Sequence, residues 1–465
     1  MRTLVWFRGK DLRVADHGPL MEAAAAGEVI PCFVVDPHFF ARERAAQAPH
    51  RMQFLLEGLA SLAANLEHLG SRLLIVRGRS TEVVPDLARR LKVDQVLAHR
   101  WIEPVGQRRD AKVAAALGPV PFHLAEGETL FPPGSVRTGQ GGMFKVYTPF
   151  ARACGAREPE PPRAAPRSLP PLPPEAARLA EPLPTLEDLG LTANPGIQPG
   201  GEREARARLK AFLRHLADYP VARDRMDLPG TSRLSADLKF GLLSIRSVWA
   251  TVAAEPPSEG RRRFLGELLW REFSHHLLGE WPHLLGHPFR PDWEGFPYQD
   301  RPDLFEAWAE GRTGYPVVDA AARELRATGY VHNRARMIAA SFLTKHLLLD
   351  WRLGEAHYLK WLTDGDWAQN SAGWQWSAGC GVDAQPWFRI FNPVAQGLRF
   401  DPEGAYVRRW VPELAELPGA RIHEPWKLPP SGRRRLDYPD PVVDLSEGRA
   451  RFLAVAKAHL GGREV

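Results

Sequence analysis

Apolar residues in the first 130 positions come as short runs separated by longer amphipathic stretches. TLVWF at 3–7, VIPCFVV at 29–35, RLLIV at 72–76 and DQVLAH at 94–99 are compact apolar runs that predict buried strands. RMQFLLEGLASLAANLEHLG at 51–70 repeats its apolar residues at helical spacing and ends on Gly70. Strands alternating with helices predict a parallel sheet covered by helices. No GxGxxG follows these strands, so a standard dinucleotide fingerprint is missing from its usual place.

The pattern then breaks. Pro159 to Pro184 holds ten of the 43 prolines, a run expected to cross the surface as an extended connector. From about residue 201 the periodicity is helical. EREARARLKAFLRHLADY, RRFLGELLWREFSHHLL, ARMIAASFLTKHLLLDW and ARFLAVAKAHL all predict helices, with little strand signal between them. The expected organisation is an α/β domain over 1–130, a proline-rich linker over 131–200 and an all-α domain over 201–465. No internal repeat is visible.

Composition narrows the class. A chain of 465 residues is too long for one ordinary core, and 44% hydrophobic with 25% charged residues is typical of a globular protein. No apolar run is long enough to span a bilayer, and MRTLVWFRGKDLR turns charged too early for a secretory signal. Cys32, Cys154 and Cys380 form neither a disulfide framework nor a zinc pattern, so a reducing cytoplasm and no metal are expected. The net charge of +6 favours an anionic partner such as nucleic acid, although an arginine-rich composition alone gives the same sign. Tryptophan changes the picture more. Thirteen of the 15 lie between Trp249 and Trp426, so whatever needs indole is concentrated in the C-terminal half.

Four stretches there carry candidate chemistry. In FLGELLWREFSHHLL (264–278), Glu267, Trp270, Arg271 and Ser274 share one helical face, a carboxyl group beside an aromatic platform. A plain amphipathic helix has the same spacing. In GYVHNRARMIAASFLTKHLLLDWR (329–352), Asn333, Met337 and Ala340 lie on one side, with His332, Arg334 and Arg336 as cations. A long buried helix accounts for that stretch equally. GTSRLSADLKFG (230–241) offers backbone and hydroxyl donors for phosphate, or a simple N-cap by Ser232 or Ser235. TDGDWAQNSAGWQW (363–376) packs three tryptophans, two aspartates and two glycines into a few turns. A buried core would use aliphatic residues there, because a buried indole N–H needs a partner.

Together these stretches resemble, in order and in detail, the flavin domain of the photolyase/cryptochrome family. TSRLS, ELLWREF, TGYPVVDAAARELRATGYVHNRARMIAASFLTKHLLLDWR, LTDGDWAQNSAGWQW and FRIFNPVAQGLRFDPEGAYVRRWVPEL carry the resemblance. WFRGKDLRVADHGPL is similar to the family's N-terminal signature, with about one extra residue beside Gly9. The resemblance covers nearly the whole chain, is weakest in the linker, and is strongest to bacterial cyclobutane pyrimidine dimer photolyases of class I or III.

The resemblance implies FAD, bent into a U in the helical domain and active in its reduced form. It implies that Tyr219, Thr231, Ser232, Arg233, Leu234 and Ser235 hold the phosphates and that Phe264 lines the site. Asp364 and Asp366 then contact the ribose and adenine side, Asp364 pairs with Arg336 beside the isoalloxazine, and Asn370 faces flavin N5. The implied substrate is UV-damaged DNA, with the dimer flipped out of the duplex. Trp270 and Trp376 would wall the pocket, Glu267 would hydrogen-bond the dimer, Asn333 and Met337 would complete the floor, and Arg223 and Arg334 would hold phosphates. Light would drive one electron from reduced FAD to the dimer and back after the ring splits, with no net redox change. For photoreduction, Trp374 matches the indole nearest the flavin and Trp351 the second. Tyr298 stands where the outer tryptophan is usual, so either it is the terminal donor or Trp293, Trp361 or Trp367 opens another route. Many members carry an antenna chromophore, such as methenyltetrahydrofolate, a deazaflavin or FMN. HRWIEPVGQRRD (99–110), with Trp101 and Glu103, lies in that region; a plain exposed loop is the alternative.

The family is usually monomeric, and neither a membrane nor an obligatory protein partner is expected. A cryptochrome photoreceptor is the main rival. Glu267, Trp270 and Asn370, and an end about 40 residues after HEPWK, argue against it. A (6-4) photolyase calls for a histidine pair in the pocket, whereas HNRARM supplies Asn333 and Met337. A flavoprotein that only binds DNA is the third.

Overall fold

The computed structural model describes residues 1–461. Its one sheet has five parallel strands: β1 (Arg2–Phe7), β2 (Glu28–Val35), β3 (Leu74–Arg77), β4 (Gln95–His99) and β5 (Phe122–Ala125). The spatial order is β3-β2-β1-β4-β5. β1, β2 and β4 are buried almost throughout, as parallel strands covered on both faces must be. Four strands fall where the apolar runs predict them. β5 does not, because FHLA at the sheet edge is only partly buried and shows no apolar run. The helix expected at 51–70 spans Pro49–His68.

The strand order reverses between β1 and β4, so a crevice opens beyond their C-terminal ends. The proline-rich run is extended as expected except for one helical turn at Pro174–Ala177, which begins on a proline, where a missing N–H costs nothing.

By contact density the chain forms two compact units. The first comprises Met1–Ala217 and Ser232–Pro282. Its sheet core joins Leu4, Trp6, Ile30, Val34, Leu74, Val96 and Ala98. It also contains a helix at Tyr147–Gly155 and a helix at Glu259–Glu280 started by Ser258, whose hydroxyl accepts from Arg261 N–H at 3.1 Å.

The second unit comprises Asp218–Thr231 and residues 283 onward, and is helical. Its helices include Asn333–Ser341, Trp351–Trp361, Trp367–Ala378 and Leu445–Leu460. The expected helix over 335–351 is not continuous. After Ser341 the chain widens into a π-turn, Phe342–His346, and then passes through Leu348 at a left-handed φ of 54°. Leucine rarely adopts that conformation, and such wide turns and strain concentrate at functional places. No helix of the described residues is long and apolar enough to cross a membrane.

Candidate functional site

In the first unit, Glu267 and Trp270 are both half-buried on the helix Glu259–Glu280. One face of the Trp270 indole is covered by Tyr147, with centroids 3.6 Å apart and planes at 7°. Tyr147 is itself fixed, because its hydroxyl donates to Gly266 C=O at 2.7 Å. Sequence reading missed Tyr147 by placing it in the linker; the aromatic spacing of Phe144, Tyr147 and Phe150 was the available signal. Arg271 and Ser274, expected on the same face, are buried instead, and Arg271 donates to Glu128 C=O at 2.7 Å. Glu272, fully buried, accepts from Leu130 and Phe131 N–H at 3.0 and 2.9 Å and so locks the helix to the chain after β5. Phe264 is buried against Phe212 at 4.5 Å.

The plain capping alternative for residues 230–241 does not describe the fold. Ser235 is the first residue of a short helix, Ser235–Lys239, whose cap position is Leu234 with no side-chain cap bond. Ser232 Oγ accepts from Leu234 N–H at 3.4 Å, and Arg233 holds a left-handed φ of 57°.

In the second unit, Thr231 is bonded to Tyr330 Oη at 3.1 Å, and buried Tyr219 carries the guanidinium of Arg223 over its ring at 5.4 Å. Arg334 pairs with Asp224 at 2.7 Å and lies over Phe400 at 4.3 Å. His332 caps the helix Asn333–Ser341 by accepting from Arg334 N–H at 3.1 Å, and burial pushes its imidazole down to about 4. Asn333 and Met337 meet on that helix, with Nδ2 to Sδ at 3.7 Å. Arg336 donates to both carboxylate oxygens of Asp364, at 3.2 and 2.9 Å, and to Val331 C=O at 2.8 Å. Asp366 caps the helix Trp367–Ala378 by accepting from Gln369 N–H at 3.0 Å.

Asn370 Nδ2 donates to Glu355 C=O at 3.1 Å. That bond commits the amide nitrogen and turns the Asn370 oxygen the opposite way, where it can accept from a ligand N–H. Glu355 is held by the Ser371 hydroxyl, and burial raises its pKa. Tyr358 Oη and Thr363 Oγ1 are buried without a protein partner. Carboxylates, hydroxyls and a cation gathered around orphaned buried polar atoms suit a flavin nucleotide, with its polyol, ribose and electron-rich ring edge.

Trp374 and Trp351 are both deeply buried, and Trp376 is half-buried. Trp374 meets Tyr358 edge-on at 5.2 Å and Trp308 at 5.9 Å. Its ring lies so close to the helix Trp351–Trp361 that a Cβ on Gly354 would sit 2.1 Å from it, so only glycine fits. Tyr298 is partly buried, 4.7 Å from Phe296, which stacks on Trp293 at 4.8 Å. Gln299 N–H donates to Leu348 C=O at 2.8 Å and ties this segment to the turn before Trp351. Burial pushes the Tyr298 phenol well above its usual range. Of the other candidates, Trp361 has Arg326 and Lys360 over its ring at 5.0 and 5.2 Å, and Trp367 is 45% exposed.

At the crevice beyond β1 and β4, Trp101 and Glu103 are buried, which corrects the alternative of a plain exposed loop. Arg8, Lys10 and Arg109 lie over the Trp101 ring at 5.7, 5.5 and 4.4 Å. Arg8 pairs with Asp110 at 2.5 Å, and Lys10 bridges Glu103 and Glu128. Trp101 Nε1 and Glu103 Oε2 are buried without a protein partner. Asp11, His17 and His99 also bring ligating atoms together. His17 Nδ1, however, accepts from Leu20 N–H at 3.0 Å, so a neutral ring carries its proton on Nε2, facing Asp11. His17 Nε2 and His99 Nδ1 stand 3.7 and 3.5 Å from Asp11 Oδ2, as ion-pair neighbours rather than hydrogen-bond partners.

Two family models match the chain: "DNA photolyase" over residues 3–169, and "FAD binding domain of DNA photolyase" over 264–458. A deoxyribodipyrimidine photo-lyase of Thermus thermophilus is 44% identical, covering 98% of this chain and 98% of its own. The crystal structure of a bacterial class III photolyase from Agrobacterium tumefaciens is similar at a TM-score of 0.90 and 36% identity, over 98% of this chain and 97% of that one. A Synechocystis cryptochrome is similar at 0.89 and 30%, over 98% and 99%.

Proposed function

The chain belongs to the DNA photolyase family, and from that premise we propose that it is a deoxyribodipyrimidine photo-lyase, repairing cyclobutane pyrimidine dimers in DNA with light. One observation carries the reading furthest: Glu267 stands half-buried on the same helix as an indole already stacked on one face by Tyr147. A base can pack against such a platform while the carboxyl group hydrogen-bonds it. The fold alone does not discriminate, since a cryptochrome matches it almost as well as a photolyase does.

The chemistry that reduced FAD would supply here, when bound, is light-driven one-electron donation with no net redox change. The protein's own residues then divide the work. Arg336, held by Asp364, places a positive charge for the flavin ring, and Asn370 presents its oxygen to a ring N–H. Asp366 serves the ribose side. Tyr219 and Thr231 to Ser235 serve the phosphates, and Phe264 lines the site. Glu267 steadies charge that develops on the dimer. Trp270, Trp376, Asn333 and Met337 bound the pocket, and Arg223 and Arg334 take backbone phosphates with little regard for sequence.

For photoreduction, Trp374 would donate first and Trp351 would refill it, with Tyr298 or a nearby ring, Trp293, Trp361 or Trp367, as terminal donor. Trp361 has two cations over its ring, and Trp351 has one, Arg352 at 5.0 Å, so charge over the ring does not by itself rank the routes. The orphaned atoms of Trp101 and Glu103 at the strand-end crevice support a second chromophore there, of a chemistry left open. The organisation that fits is an α/β domain over 1–130, a linker over 131–200 and a catalytic domain over 201–465, acting as a cytoplasmic monomer.

The test is an oligonucleotide carrying one cis-syn thymine dimer or one (6-4) photoproduct, incubated with the protein in light and in darkness. Loss of the cis-syn dimer in light alone is expected. Bound, photoactive flavin without repair of either lesion would instead make the chain a photoreceptor.

A further inference from the structure

The loop between the helix Trp367–Ala378 and the helix Pro393–Phe400 begins at Gly379, at the end of the helix that carries Trp376. It carries Phe388, 55% exposed, and Arg389, also exposed, although its backbone is anchored from below. Gln385 Nε2 donates to Ser377 C=O at 3.0 Å at one end, and Asn392 caps the next helix at the other. The middle has no helix of its own. It is held by three side chains of one neighbouring segment. Ser341 Oγ accepts from Phe391 N–H at 3.3 Å, Lys345 Nζ donates to Arg389 C=O at 2.9 Å, and His346 Nε2 donates to Phe391 C=O at 2.9 Å.

All three side chains are buried, and two of them lie in the π-turn Phe342–His346. The extra residue of a π-turn rotates the side chains after it relative to an α-helix. Here that rotation aims Lys345 and His346 at the same short stretch of backbone. The turn is braced from its other side. Arg451 donates to His346 C=O at 3.0 Å, and a Cβ on Gly448 would come within 2.8 Å of that oxygen. A fully buried amine is an expensive way to fill a core, and methionine would fill the same space without the desolvation cost. Burial pushes Lys345 down to about 7. Beyond packing, the amine provides a directed bond to Arg389 C=O and a more distant contact, 5.9 Å, over the Phe452 ring.

We propose that this π-turn is a clamp and that Lys345 and His346 are positioning residues, fixing the loop that presents Phe388 and Arg389 to the damaged strand. The proposal rests on the repair reading of the same site. The clamp lowers the entropy lost when the loop meets DNA, because the loop is already ordered. Its effect therefore falls on lesion binding and not on flavin binding or on turnover of bound lesion.

The experiment compares full-length, flavin-loaded wild type with Lys345→Met, His346→Leu and His346→Gln. Affinity for a thymine-dimer oligonucleotide, flavin absorbance, turnover at saturating lesion and amide exchange across 386–391 are measured for each. Lys345→Met and His346→Leu are expected to weaken lesion binding about tenfold, the loss of one directed hydrogen bond. Exchange in the loop rises, while flavin content and saturated turnover stay unchanged. His346→Gln keeps a donor for Phe391 C=O and restores affinity. The clamp is overturned if folded Lys345→Met binds the lesion as wild type does, or if affinity falls only together with flavin content. If Lys345→Met does not fold, the His346 pair decides alone. A wild type with no preference for the lesion would remove the repair reading, and the clamp with it; a normal wild type with normal variants removes the clamp alone.

Discussion

Trp101 and Trp374 are both buried indoles, yet their surroundings are opposite. Over Trp101 lie Arg8, Lys10 and Arg109, each tied to a carboxylate. Around Trp374 lie the rings of Tyr358 and Trp308 and the bare backbone of Gly354. Cations over a ring stabilise its electrons and oppose their removal. Neutral rings at van der Waals contact impose no such penalty. The same side chain is thus part of a charged crevice in one unit and fit to pass an electron in the other. Placement of charge, not burial, separates them.

Substitutions can break that contrast. Trp374→Phe removes the innermost donor and is expected to slow flavin photoreduction by about 10²-fold or more, an effect of the size seen when a central catalytic interaction is deleted. Repair by chemically reduced protein should survive. Flash photolysis with added reductant separates the two. An equal loss of both would mean that Trp374 matters for packing.

Tyr147→Ala frees the covered face of Trp270 and should weaken lesion binding about tenfold, the worth of one aromatic stack. Titration with dimer-containing oligonucleotide measures it, and unchanged binding would remove the platform from the account.

Acid probes both units together. Burial holds His99 down at about 3, and His332 and His357 at about 4, all below the ordinary 6.5. Their folded pKa values are depressed, so between pH 6.5 and 4 the unfolded chain binds more protons. Stability is therefore full above 6.5 and falls as pH drops through that window. Thermal melts should move down by several degrees between pH 7 and 5, and His332→Asn, which keeps a capping acceptor, should flatten part of the slope. The smallest effect is expected from Trp101→Phe. It should leave photoreduction and repair by reduced flavin unchanged, and a loss comparable to Trp374→Phe would erase the contrast between the two indoles.

The sheet was legible because its central strands are buried on both faces and read as unbroken apolar runs. β5 was not, since an edge strand of four partly buried residues leaves no such run. The pairing of Arg336 with Asp364 was foreseen from resemblance alone, as no periodicity links positions 336 and 364. That Tyr147 stacks on Trp270 and that Lys345 bonds Arg389 C=O were not legible as pairings, for a different reason, although the aromatic spacing marks Tyr147 itself. Each depends on where a distant backbone segment returns, and the π-turn that re-aims Lys345 leaves an ordinary helical pattern in the sequence. Leu348 in a left-handed conformation leaves no sequence mark either, because leucine predicts the reverse.

The proposed repair function requires Glu267 and a reduced flavin to act on one dimer under light. It is tested most directly by counting dimers repaired per absorbed photon, anaerobically, with chemically reduced wild type and Glu267→Ala at saturating lesion. Wild type should repair in light and not in darkness, and the variant should fall by about 10- to 100-fold with its flavin spectrum intact. Equal yields from both proteins, or no repair by a wild type whose flavin is bound and reduced, would contradict it.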